Sequence, residues 1–158
     1  MDSTTTVKDR KVLLVEDDRS VARMLRFSLR DAGFDVNAVE TGAQALEALS
    51  REPISAVVLD LGLPDGRGGD VLELLKRQDK EGAPQRPVWV VITAQEQHEV
   101  LKRHGPLGEH FLAKPFDPWD LVRRLQTLLP GSKSSTIFRR LDLHALFTPR
   151  AAALTGRA

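Results

Sequence analysis

Four short apolar runs in this chain each stop at a residue with chemistry to offer. Val12-Leu13-Leu14-Val15 runs into Glu16-Asp17-Asp18, and Ala56-Val57-Val58-Leu59 runs into Asp60. Val88-Trp89-Val90-Val91-Ile92 ends at Thr93, and Phe111-Leu112-Ala113 ends at Lys114. Unbroken apolar runs of this length, bounded by turn residues, fit strands buried on both faces. Burial on both faces demands helices above and below the sheet, so the segments between the runs must supply them.

They do. Val21, Met24, Leu25, Ser28, Leu29 and Ala32 recur at helical spacing, with Asp18 placed as N-cap and Gly33 as the stop. Phe34, Val36 and Ala38 then alternate with Asp35, Asn37 and Val39, the pattern of a less buried strand. A second helix is expected over 42–50, with Ala45, Leu46 and Leu49 inward and Pro53 beyond it. Val71, Leu72, Leu74 and Leu75 mark a third helix ending near Gln78, before a polar loop from Asp79 to Pro87. A polar fourth helix is expected over 95–104, shortened or loosened by Gly105, Pro106 and Gly108. Leu121, Val122, Leu125, Leu128 and Leu129 make a clean apolar helical face. Strand then helix, five times over, predicts an α/β fold: a doubly wound five-stranded parallel sheet, order 2-1-3-4-5, with helices on both faces.

That topology decides where chemistry gathers. Ligands bind at the carboxyl edge of such a sheet, at the switch point between strands one and three. Glu16, Asp17 and Asp60 therefore meet in one crevice. Three carboxylates there repel each other unless a cation joins them. Hard oxygen ligands with open positions favour Mg²⁺. Lys114 adds a fixed positive charge and Thr93 a hydroxyl donor. A divalent cation, an ammonium and a hydroxyl around one carboxylate suit a phosphoryl group in transfer. Asp60 is then the nucleophile and the product an aspartyl phosphate.

Composition narrows the field further. The net charge is +1, and residues 131–158 hold five Lys or Arg against one Asp, so a mildly acidic body carries a basic tail. There is no Cys, which removes disulfides and thiolate metal sites. No apolar run approaches the ~20 residues of a membrane span, and Met1 to Lys11 lack an apolar signal core. The expectation is a cytoplasmic protein with a flexible leader over 1–9, one domain over 10–130, and a linker with a basic tail over 131–158.

The chain resembles the response-regulator receiver domains of two-component signalling. The matching pieces are Leu14-Val15-Glu16-Asp17-Asp18, the run from Leu59 through Asp60 to Gly68, Val91-Ile92-Thr93-Ala94 and Phe111-Leu112-Ala113-Lys114-Pro115-Phe116. They cover residues 9–130, in order and each at a strand end. The resemblance implies a flavodoxin-like receiver fold. It implies that Asp60 takes phosphate from the phosphohistidine of a sensor histidine kinase or phosphotransfer protein. It implies Mg²⁺ on Asp17, Asp60 and the Gly62 carbonyl, with Glu16 acting through water, and phosphoryl oxygens on Thr93 and Lys114. Phe111 stands where the family's rotating aromatic sits, and Lys114-Pro115 should be cis. The fourth helix, fifth strand and fifth helix would then switch a downstream protein partner, with homodimerisation as one output. On this reading the chain is no enzyme beyond its own phosphorylation and dephosphorylation, and the receiver contacts neither nucleic acid nor membrane.

Plainer readings stand beside these. Phe111 can be simple core. His98, His104, His110 and His144 lack metal-ligand spacing and read as surface residues, and Trp89 and Trp119 as core and interface fillers. The tail can be a docking helix from Thr136 to Phe147, a disordered segment, or a truncated linker to an effector. A phosphatase using an Asp nucleophile would carry a second acid two residues on, where this chain has Gly62. A receiver that only binds a partner would lack one of the acids, the Thr or the Lys, and none is missing.

Overall fold

The computed structural model describes residues 10–130. The leader, the linker and basic tail, and with them His144 and the helix expected from Thr136, lie outside the described residues. Five strands alternate with five helices: β1 (Lys11–Val15), α1 (Arg19–Asp31), β2 (Asp35–Val39), α2 (Gly42–Arg51), β3 (Ala56–Asp60), α3 (Gly68–Glu81), β4 (Val88–Thr93), α4 (Gln97–His104), β5 (Phe111–Ala113) and α5 (Pro118–Leu128). A 3₁₀ turn, Gly108–His110, precedes β5. The strands form one parallel sheet in the order β2-β1-β3-β4-β5, as the strand–helix alternation predicts.

Strand alternation sorts the side chains into two cores. Leu13, Val15, Val57, Leu59, Trp89 and Val91 face Ala45 of α2, Val71, Leu72 and Leu75 of α3, and Val100 of α4. Val12, Leu14, Val58, Val90 and Ile92 face Leu25 and Leu29 of α1 and Leu121, Val122 and Leu125 of α5. The central strands β1 and β3 are buried from end to end apart from Lys11. Edge strand β2 is only half-buried, which is why it alternates in sequence.

The helix ends follow local chemistry. Asp18 caps α1, accepting from the Ser20 and Val21 N–H groups at 2.9 and 3.1 Å. Two ends differ from expectation. α3 runs past Gln78 to Glu81, because Asp79, Lys80 and Glu81 lie outside the apolar stripe that marks the buried face, and Lys80 and Glu81 are good helix formers. Its stop is Gly82, at φ 62°, a left-handed cap that glycine adopts without strain. α4 begins at Gln97, not Gln95, because the Gln95 N–H is held at 3.1 Å by the Thr93 hydroxyl oxygen in a turn.

Two histidines are not surface residues. His110 is half-buried, its ring stacked on Trp89 at 4.1 Å between centroids and its Nδ1 2.8 Å from the Trp89 carbonyl. Trp89, a core residue as expected, donates its indole N–H to Asp79 Oδ2 at 2.6 Å. His104 is half-buried at the end of α4, where Lys76 of α3 donates to its carbonyl at 2.6 Å. Trp119 is half-buried against the α1–α5 core, and His98 is exposed. No described helix is long and apolar enough to cross a membrane.

Candidate functional site

The carboxyl ends of β1 and β3 bring three acids together. Glu16, Asp17 and Asp60 each offer a carboxylate oxygen within 4.8 Å of the others. Glu16 and Asp60 are buried, at 2% and 7% exposure, and Asp17 is open to solvent. The buried pair has its charge answered by one side chain. Lys114 Nζ donates to Glu16 Oε2 at 2.7 Å and to Asp60 Oδ2 at 3.1 Å. Lys114 follows β5, two strands from β3 and three from β1, and its long side chain spans the sheet edge to both acids while its N–H is fixed on the Thr93 carbonyl at 2.9 Å.

The remaining oxygens are oriented by backbone. Asp60 Oδ1 accepts from the Gly62 N–H at 3.0 Å, and Glu16 Oε1 from the Asp18 N–H at 3.1 Å. Thr93 is buried at 1% exposure at the end of β4, and its hydroxyl oxygen accepts from Gln95, leaving its own proton free to donate. The Lys114–Pro115 peptide is cis, as the resemblance implied. Phe111 pairs with Val91 in register, and Thr93 with Ala113, so Phe111 shares with Thr93 the sheet face beneath α4. Phe111 is half-buried against that core.

The electrostatics are lopsided. Burial pushes the Glu16 carboxyl above the usual carboxylate range; the Lys114 hydrogen bond offsets only part of this, and the Asp60 charge adds to it. Burial also works against the Lys114 charge, but its bond to Glu16 and the charge of Asp60 outweigh it and hold the ammonium above its usual range. One permanent cation thus stands beside three acids and is bonded to two of them. The excess negative charge and the all-oxygen donor set fit a hard divalent ion, which the cluster could hold.

One residue of the site region was not legible as functional. Asp65, in the loop after Asp60, accepts from the Gly42 N–H at 3.1 Å, the Ala43 N–H at 3.0 Å and the Arg67 N–H at 3.2 Å. The Ala43 N–H first, and those of Gly42 and Arg67 with it, hold its carboxyl below the usual range. A cap supplied from 22–23 residues away leaves no local sequence signal.

Comparison with known proteins agrees with this geometry. The family model described as the response regulator receiver domain matches residues 12–126. The transcriptional activator protein IrlR of Burkholderia pseudomallei (strain 1026b) is 31% identical over 148 residues, covering 92% of this chain and 62% of its own length. The transcriptional regulatory protein KdpE of Mycobacterium tuberculosis (strain H37Rv) is 33% identical over 115 residues, covering 73% of this chain and 49% of its own. The chain thus spans about half to three fifths of these relatives. Among solved structures, a sensor protein from Polaromonas sp. JS666 superposes with a TM-score of 0.64 at 31% identity, covering 78% of this chain and 98% of that one. The chemotaxis response regulator CheY4 of Vibrio cholerae gives 0.62 at 26% identity, covering 76% and 98%.

Proposed function

The chain belongs to the response regulator receiver domain family, and from that premise we propose that Asp60 is its phosphoacceptor. The observation that carries the reading is the junction of Lys114 with Asp60 and Glu16, beside an exposed Asp17. An Asp60 oxygen attacks the phosphorus of a phosphohistidine on a sensor kinase or phosphotransfer protein. The new P–O bond forms as the P–N bond breaks, and the imidazole leaves with the electron pair and takes up a proton. Lys114 offers its ammonium to the charge spread over the transferring oxygens, and Thr93 donates its hydroxyl hydrogen. Glu16, Asp17, Asp60 and the Gly62 carbonyl would hold Mg²⁺, whose charge when bound lets an anionic carboxylate meet an anionic phosphoryl group.

The chain acts on itself alone in this scheme, and its product is a conformational signal. The signal passes to a partner or effector through α4, β5 and α5, with Thr93 and Phe111 as the moving parts. The longer relatives are transcriptional regulators by name. Control of transcription, through an effector or a separate protein, is the output this favours. Cytoplasmic localisation goes with such a role.

Incubation with acetyl phosphate and Mg²⁺, followed by intact mass, tests the assignment. Wild-type protein should gain one phosphoryl group, and Asp60→Asn should gain none. Undiminished labelling of that variant would place the phosphoacceptor elsewhere.

A further inference from the structure

We infer that Asp65 is a positioning residue: by capping α2 from the loop that follows Asp60, it holds that loop in the shape the site uses. The inference rests on the phosphoacceptor reading. Its physical basis is the first turn of α2, whose leading N–H groups have no partner within the helix. Thr41 answers only the Gln44 N–H, at 3.1 Å, and the Gln44 side chain answers Thr41 and Glu40 in return. The Gly42 and Ala43 N–H groups go instead to the two oxygens of Asp65. The positive end of α2 also favours a carboxylate there.

Contact is as close as the bonding is specific. A Cβ at Gly42 would lie 2.6 Å from Arg67 Cβ and 2.8 Å from the Arg67 carbonyl oxygen. A Cβ at Gly68 would lie 2.7 Å from the Leu61 carbonyl oxygen. The loop therefore closes on itself, Leu61 against Gly68, and presses its outer side on α2. Leu61 and Leu63 are buried in the core beneath. Gly62, exposed between them, has its N–H on Asp60 Oδ1 and its carbonyl proposed for the metal. Core leucines hold the inner side of this loop, and Asp65 holds the outer side.

The test uses the full chain with three variants. Asp65→Ala removes both oxygens. Asp65→Asn keeps one carbonyl oxygen and should rescue part of the effect. Gly42→Ala attacks the same contact from α2; alanine at a helix position ordinarily strengthens the helix, but here its methyl must push Arg67 away. Expected for Asp65→Ala are faster amide exchange at 42–44 and 61–68 together, Mg²⁺ affinity weakened about tenfold, as for other residues that support a metal ligand, and labelling by acetyl phosphate slowed to match. Gly42→Ala should reproduce these changes, and the double variant should add little to either. Faster exchange confined to 42–44, or an unchanged Mg²⁺ affinity and labelling rate, would reduce Asp65 to a cap of α2 and overturn the inference. Failure of the wild-type chain to bind Mg²⁺ or take up phosphate would remove the underlying reading instead. The two failures are told apart because exchange at 61–68 reports the clamp in metal-free protein.

Discussion

At the scale of single residues, His104 carries the pH dependence that the structure makes most legible. Its ring lies 3.4 Å from where a Cβ on Gly69 would stand, so it is wedged between α4 and α3. Burial lowers its pKa from the ordinary 6.5; the Lys76 and Arg103 charges lower it too, and Glu73 opposes them. A folded-state pKa below the unfolded one means that the unfolded chain binds the proton more readily. The stability His104 contributes is therefore present above about pH 6.5 and lost as pH falls through its folded value. The melting midpoint should drop between pH 7.5 and 5.5, and His104→Gln should flatten that slope. An unaltered slope in the variant would assign the effect to another group. Asp17 gives a second residue-scale expectation. Even at an effective dielectric near 20, a carboxylate attracts a divalent ion by several kcal/mol. Water recovers part of this at an exposed site, so Asp17→Asn should weaken Mg²⁺ binding by about tenfold or more, read by calorimetry. With one repelling charge gone, the metal-free fold should be no less stable than wild type. An unchanged affinity would count against the metal site.

At the scale of elements, α4 is the helix most cheaply moved. Only Val100 of its eight residues is buried, Leu101 is 48% exposed, and the helix stops at Gly105. Few buried contacts mean a low cost of local opening. Below it, Phe111 is half-buried on the same sheet face as Thr93. On the proposed reading, phosphate on Asp60 would draw the Thr93 hydroxyl inward and free space for that ring. Completing its burial at about 25 cal/mol per Å² is worth on the order of 1–2 kcal/mol, the size of a typical allosteric coupling. Phosphorylation should change exchange protection mainly over residues 93–113, and Phe111→Ala should weaken that response while leaving labelling intact. A response confined to 60–68 would leave Phe111 as core alone. The helices themselves were readable from period 3.6, but their ends less so. Periodicity marks the buried face only, so the polar last turn of α3 went unseen although Gly82 signals its stop. The Thr93 hydroxyl delays α4 by two residues through a bond that composition does not reveal. The stacking of His110 on Trp89 joins residues 21 apart, one in the turn before β5 and one on β4, which no local pattern encodes.

For the whole molecule, strand order and the meeting of Glu16, Asp17 and Asp60 were legible together, since four apolar runs end in polar residues and a doubly wound sheet brings such ends to one edge. The cap from Asp65 to α2 was not, because it depends on how a loop settles on a helix already packed. The same completeness of packing bears on the C-terminal region. Among the described residues α2, α3 and α4 cover one face of the sheet, and α1 and α5 cover the other. Leu13, Leu14, Val58, Leu59, Val90 and Val91 are wholly buried between them. Both faces of the sheet are thus covered by described residues, and Lys114, Thr93 and the three acids all precede Pro130. A chain ending at Pro130 should therefore melt within about 4 °C of the full chain, a shift worth roughly 1 kcal/mol for a domain of this size. It should also take up phosphate from acetyl phosphate at the same rate. Its net charge moves from +1 to −3, because the removed residues carry five Lys or Arg and one Asp, so ion exchange will confirm the truncation independently of its stability. Calorimetric melting and intact-mass labelling of both chains decide the matter. A fall of 10 °C or more, about 2 kcal/mol or above on the same scale, would mean that residues after Pro130 contribute burial to the fold. Unchanged melting with altered labelling would mean that they act on the site instead.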